Sequence, residues 1–84
     1  MDDYIYFIEN KIKKNVDVEK IIILDNSHKH AKHKYFQADK RHLYLEIESK
    51  FLSSLSKLDA QRNIMKILKE ELKTNIHALE IKIR

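Results

Sequence analysis

The sequence predicts an α+β fold in the order α-β-β-α-β, with a three-stranded mixed sheet and the helices on one of its faces. Three observations predict it. Aliphatic residues recur at helical spacing in two places, Ile5, Ile8 and Ile12 near the start and Leu58, Met65, Leu68 and Leu72 later. Three other stretches carry strand signals: Ile21-Ile22-Ile23-Leu24, the alternating Leu43-Tyr44-Leu45-Glu46-Ile47-Glu48, and the stretch from Ile76 to Ile83. The connections supply the topology. A loop between the first two strands favours antiparallel pairing, and the long helix between the second and third is the crossover that parallel strands require.

In chain order, the first helix runs from about Asp2 to Lys14, with Asp2 and Asp3 placing negative charge at its start. Asn15 and Asp17 break its pattern, and Val16 and Val18 lead into the first strand. The segment from Asp25 to about Lys40 has no apolar periodicity and reads as a loop. In the second strand Leu43, Leu45 and Ile47 face inward. Phe51 to Leu55 reads as a connection with serines where glycine might be expected. Ser56 and Asp59 then form a capping box in which Asp replaces the usual Glu. The next helix presents Leu58, Met65, Leu68 and Leu72 as its apolar face, flanked by Ile64 and Ile67, and is expected in one or two pieces. Asn75 is suited to a left-handed cap after Lys73. In the last strand His77, Leu79, Ile81 and Ile83 share one face.

Composition narrows the function. Eighty-four residues, 43% hydrophobic and 36% charged, suit one globular domain. No aliphatic run approaches a bilayer span and no secretory signal follows the acidic start, so a cytoplasmic location is expected. Glycine, proline and cysteine are absent. Their absence removes the Walker loop, the dinucleotide fingerprint and the Gly-x-x-Gly clamp used on RNA. No nucleophile stands beside an activating base, so the chain is not expected to be an enzyme. The net charge of +4 lies largely around Lys29, Lys32, Lys34, Lys40 and Arg41, and reads either as a solvated loop or as a surface for an acidic partner.

The histidines are the chemically distinctive residues. His28, His30 and His33 fall within seven positions, Ser27 to His33, and His77 opens the last strand. Imidazole is the commonest protein metal ligand, and a cysteine-free chain must take any thiolate from another molecule. The predicted topology brings the loop histidines, His42 and His77 to one end of the sheet, where the second and third strands begin. Plain structural readings stand beside this: a partly buried His77 closing the core, His42 as a strand-entry residue, and solvated loop histidines.

The combination Asp25-x-Ser27-His28-Lys29-His30-Ala31-x-His33, a strand opened by His42, a helix ending Lys69-Glu70-Glu71-Leu72, and Ile76-His77-Ala78-Leu79 resembles the BolA family over about Ile5 to Ile83. The Ser-His-Lys-His loop and the His-Ala-Leu phrase are its specific parts. The resemblance implies a class II KH-like fold and a monothiol glutaredoxin partner that shares a bridged [2Fe–2S] cluster. The glutaredoxin and glutathione supply thiolates, and the BolA-like protein supplies histidines. Carried onto this chain, the ligands are His77 and, from the loop, His30, with His28 and His33 as the other loop candidates. Imidazole ligation raises the potential of a cluster, and it requires the neutral ring, so binding should weaken in acid.

Lys29, Lys32 and Arg62 are expected to orient the partner, and the isolated chain is expected to be monomeric and metal-free. The alternative function is DNA binding as a transcription regulator, a role also attributed to some BolA-like proteins, through Arg62, Lys66 and Lys69. Two departures bear on these expectations. The family's Arg-His-Arg aligns with Ala60-Gln61-Arg62, which thins the basic face. Its Phe-x-Gly turn becomes Phe51-Leu52-Ser53, so that turn must be built differently.

Overall fold

The computed structural model describes residues 3–26 and 41–84. Helix α1 (Asp3–Asn15) precedes strand β1 (Lys20–Asp25), and strand β2 (Arg41–Glu48) leads into three helical pieces. These are α2 (Lys50–Ser53), α3 (Lys57–Ile67) and α4 (Lys69–Thr74), and strand β3 (Ile76–Ile83) follows them. The sheet has the order β1-β2-β3, with β1 and β2 antiparallel and β2 and β3 parallel. The α+β class and the mixed sheet expected from the sequence are therefore present.

Alternation along the central strand sets the layers. Leu43, Leu45 and Ile47 are buried, whereas Tyr44 and Glu46 between them are half-exposed on the opposite face. The register places Ile21, Ile23, Leu79, Ile81 and Ile83 beside the buried set, and all of them pack on the core. Ile8, Ile12 and Val16 of α1 and its exit close that core, with Leu52, Ala60, Ile64 and Leu68 from the later helices. Among the described residues, the helices thus cover one face of the sheet and nothing covers the other.

Three local expectations are corrected. Phe51 to Leu55 is not a plain connection, because Ser49 caps a helical turn there. Its Oγ accepts from the Leu52 amide at 3.1 Å and donates to the Asp17 carbonyl at 2.6 Å, so this fully buried hydroxyl is satisfied in both directions. Leu52 is driven into the core, and the turn needs no glycine because no described residue has positive φ. A four-residue helix is too short to show periodicity, so only its cap could have revealed it.

The second correction concerns the long helix. Leu58 and Met65 are 57% and 47% exposed, and the buried positions are Ala60, Ile64, Leu68 and Glu71. The buried stripe is rotated because Ala60 and the stem of Glu71 sit inward where larger apolar residues were available. Third, Asn75 has φ −112° and ψ −26°, a right-handed rather than a left-handed cap. Ser56 behaves as expected, its Oγ accepting from the Asp59 amide at 3.1 Å.

Glu71 is buried because it has a dedicated partner. Lys11 Nζ lies 2.8 and 2.9 Å from its two carboxylate oxygens, tying α1 to α4. Removing only the cation leaves a carboxylate out of water. Because the Lys11 side chain is 28% exposed, Lys11→Met is expected to cost about 2 kcal/mol, below the range for a fully buried pair. Lys11→Met/Glu71→Met should recover most of that loss in urea unfolding. Equal destabilisation by the single and the double variant would show that the pair is inert.

Candidate functional site

The start of β3 does not continue its alternation. Arg41 pairs with Ile76 and His42 with Ala78, so one residue of β2 advances while two of β3 do. The extra residue is His77. A bulge of this kind re-aims a side chain. Ile76, 3% exposed, turns into the core, and His77 stands exposed beyond it. The expectation that His77 shares the face of Leu79, Ile81 and Ile83 is therefore corrected, and with it the reading of a histidine closing the core.

His77 meets His42 there. Their ring centroids are 5.2 Å apart and their planes are tilted by 55°. The parallel pairing of β2 and β3 produces this meeting between residues far apart in sequence, as the topology predicts. Backbone bonds hold the same end of the sheet together. The Asn26 amide donates to the His42 carbonyl and the Arg41 amide to the Asn75 carbonyl, both at 2.7 Å. The exit of β1, the entry of β2 and the entry of β3 are thus fixed side by side.

Behind the imidazoles lies a polar brace. Arg41 donates from Nη1 to Asp25 Oδ2 at 2.9 Å, and its guanidinium carbon sits 4.6 Å from the centre of the Tyr4 ring. Burial raises the Tyr4 pKa above its ordinary 10.0, the Glu71 carboxylate raises it further, and the Arg41 charge opposes both. Tyr4 therefore stays a neutral platform under Arg41 through the physiological range. With Lys11 and Glu71, these residues clamp α1, β1, β2 and α4 just behind the two histidines. Sequence reasoning did not identify the brace, because an ion pair between residues sixty apart leaves no local pattern.

His28, His30, His33, Lys29 and Lys32 lie outside the described residues. Their segment leaves the sheet after Asn26 and rejoins it at Arg41, both at the end that carries His42 and His77. Arg62, Lys66 and Lys69 are exposed on α3 and the start of α4, with Asp59 and Glu70 nearby on the same helices, and they are not part of the histidine site. Among the described residues no three His, Cys, Asp or Glu side chains gather to hold a metal ion. The described donors at this site are therefore two imidazoles, an incomplete set that other ligands could complete. No described helix is long and apolar enough to cross a membrane.

Residues 12–84 match the family model described as BolA-like protein. The chain is 30% identical over 77 residues to the protein named BOLA1, chloroplastic, of Arabidopsis thaliana; the match takes in 88% of this chain and 48% of that one, so the chain spans about half the length of that relative. In structure it is similar to the BolA domain of SufE1 from Arabidopsis thaliana, with a TM-score of 0.84 and 28% identity over 100% of this chain and 93% of that one. It is also similar to yeast Fra2, with a TM-score of 0.61 and 29% identity over 94% of this chain and 71% of that one. The chain belongs to the BolA-like protein family.

Proposed function

We propose that the chain is a non-enzymatic interaction protein that binds a monothiol glutaredoxin and supplies histidine ligands to a [2Fe–2S] cluster bridged between them, for cluster assembly, transfer or sensing. The observation that carries this reading is the bulge that exposes His77 beside His42 at the end of the sheet. The donor chemistry fits the cluster. His77 with one loop histidine, in a chain without cysteine, would make half a ligand set, and the glutaredoxin with its glutathione would bring the thiolates. His77 would hold one position and His30 the other, with His28 and His33 as alternatives. Chain connectivity keeps His30, four residues past Asn26, within about 14 Å of that backbone. Lys29, Lys32 and Arg62 would meet acidic groups of the partner or of glutathione. When bound, the cluster would supply one-electron redox chemistry, while the brace at Arg41 would hold the imidazoles in place.

Titrating the full chain into a glutathione-loaded, cluster-bearing monothiol glutaredoxin tests the reading. The visible absorption and circular dichroism should change and saturate at one chain per glutaredoxin. An unchanged spectrum at excess chain would refute it. The alternative, a DNA-binding regulator using Arg62, Lys66 and Lys69, has the exposure of those cations in its favour. Asp59 and Glu70 weaken the positive field such a surface would need. The cytoplasmic location stays part of the proposal, since the similar plant protein is named as chloroplastic.

A further inference from the structure

Strand β3 is an outer strand, and among the described residues no strand pairs with its free edge. An open groove of about 640 Å³ runs along that edge. Leu52, Leu55 and Ala60 line it on the helix side, and Tyr44, Glu80 and Lys82 line it on the bare side. Edge strands offer unpaired amides and carbonyls to another strand, and proteins usually block them with proline, bulges or charged side chains, lysine especially, unless a partner's charges complement them. Here proline is absent and the only register irregularity of the β2–β3 ladder is at His77, which leaves Ala78 to Ile83 regular.

The charge pattern of this edge is self-complementary. An antiparallel copy aligned on a twofold axis at Ile81 sets Ile81 opposite Ile81, Glu80 opposite Lys82, and Leu79 opposite Ile83. Apolar residues then meet on the helix side, and two opposite-charge pairs form on the bare side, the arrangement that stabilises cross-strand neighbours. Shifting the axis to Glu80 sets Glu80 opposite itself, and shifting it to Lys82 sets Lys82 opposite itself at the twofold, with Glu80 opposite Arg84 to either side. The other outer strand lacks this property: alignment of β1 about Ile22 sets Glu19 against Asp25, and alignment about Ile23 brings no opposite charges together.

We propose that β3 is a docking edge for a second copy of this chain, paired antiparallel about Ile81 into one continuous six-stranded sheet. The surface lies along the flank of the sheet rather than at the histidine end, and the proposal is independent of glutaredoxin binding. It replaces the monomer expected from the sequence with a concentration-dependent dimer.

Sedimentation velocity of the full chain between about 10 µM and about 1 mM should show a monomer–dimer equilibrium. Lys82→Glu turns both charge pairs repulsive and should raise the dissociation constant about tenfold or more. Glu80→Lys/Lys82→Glu restores opposite charges across the axis and should restore association. Because the chain has no cysteine, Ile81→Cys gives an independent reading that keeps the native charges. Mild oxidation should yield a covalent dimer. A chain that stays monomeric throughout overturns the proposal and leaves the edge to a foreign extended segment. A dimer indifferent to Lys82→Glu, or no rescue by the double exchange in folded variants, overturns it equally, as does failure of Ile81→Cys to cross-link.

Discussion

Replacing His77 with alanine is expected to abolish the mixed cluster spectrum formed with a monothiol glutaredoxin while leaving the isolated chain folded. The two halves of this expectation have different causes. Folding should survive because His77 is exposed and the core is closed by its neighbour Ile76. Surface substitutions of this kind usually change stability by less than about 0.5 kcal/mol. Ligation should fail because alanine offers no donor, and this chain has no thiolate to take its place. The fraction of cluster in the mixed complex should fall at least about tenfold at equal concentrations, a loss of about 1.4 kcal/mol or more. His42→Ala removes the tilted neighbour but not the proposed ligand, so it should weaken the complex less than His77→Ala. A wild-type spectrum from His77→Ala would remove His77 from the ligand set even if the two proteins still bind.

Part of this site is legible in the sequence itself. Strand signals and connection lengths were enough to pair β2 parallel to β3, and that pairing alone brings His42 and His77 together. The bulge was not legible. Bulges are often marked by glycine, and here the extra residue is the histidine itself, inside a stretch whose later members alternate normally. Alternation counted back from Leu79 therefore put His77 on the wrong face. The brace was hidden for another reason. Tyr4, Lys11, Asp25, Arg41 and Glu71 come from four separate elements, and each looks like an ordinary surface residue in its own segment. The choice of His30 in the loop rests on the family resemblance alone: nothing in the spacing of His28, His30 and His33 prefers one imidazole to another.

Helix α3 and its continuation show why periodicity can name a helix correctly and still misjudge its face. Leu58, Met65, Leu68 and Leu72 fit a helical repeat, but so do Ala60, Ile64, Leu68 and Glu71. Every member of the second set is buried, whereas in the first Leu68 is buried, Leu72 packs against the core and Leu58 and Met65 are exposed. The two sets predict opposite mutational outcomes. Ile64 is fully buried, so Ile64→Ala should destabilise the chain by about 3 kcal/mol through lost burial and a residual cavity. In a domain of this size that lowers the melting temperature by about 15 °C. Leu58→Ala and Met65→Ala, at 57% and 47% exposure, should each stay within about 1 kcal/mol of the parent. Thermal melts of the three variants decide between the faces. Were Leu58→Ala the most damaging, the helix would have to be rotated, and Glu71 would lose its seat opposite Lys11. The brace behind the histidines thus depends on which face of this helix is buried, and Ile64 is the residue that reports it.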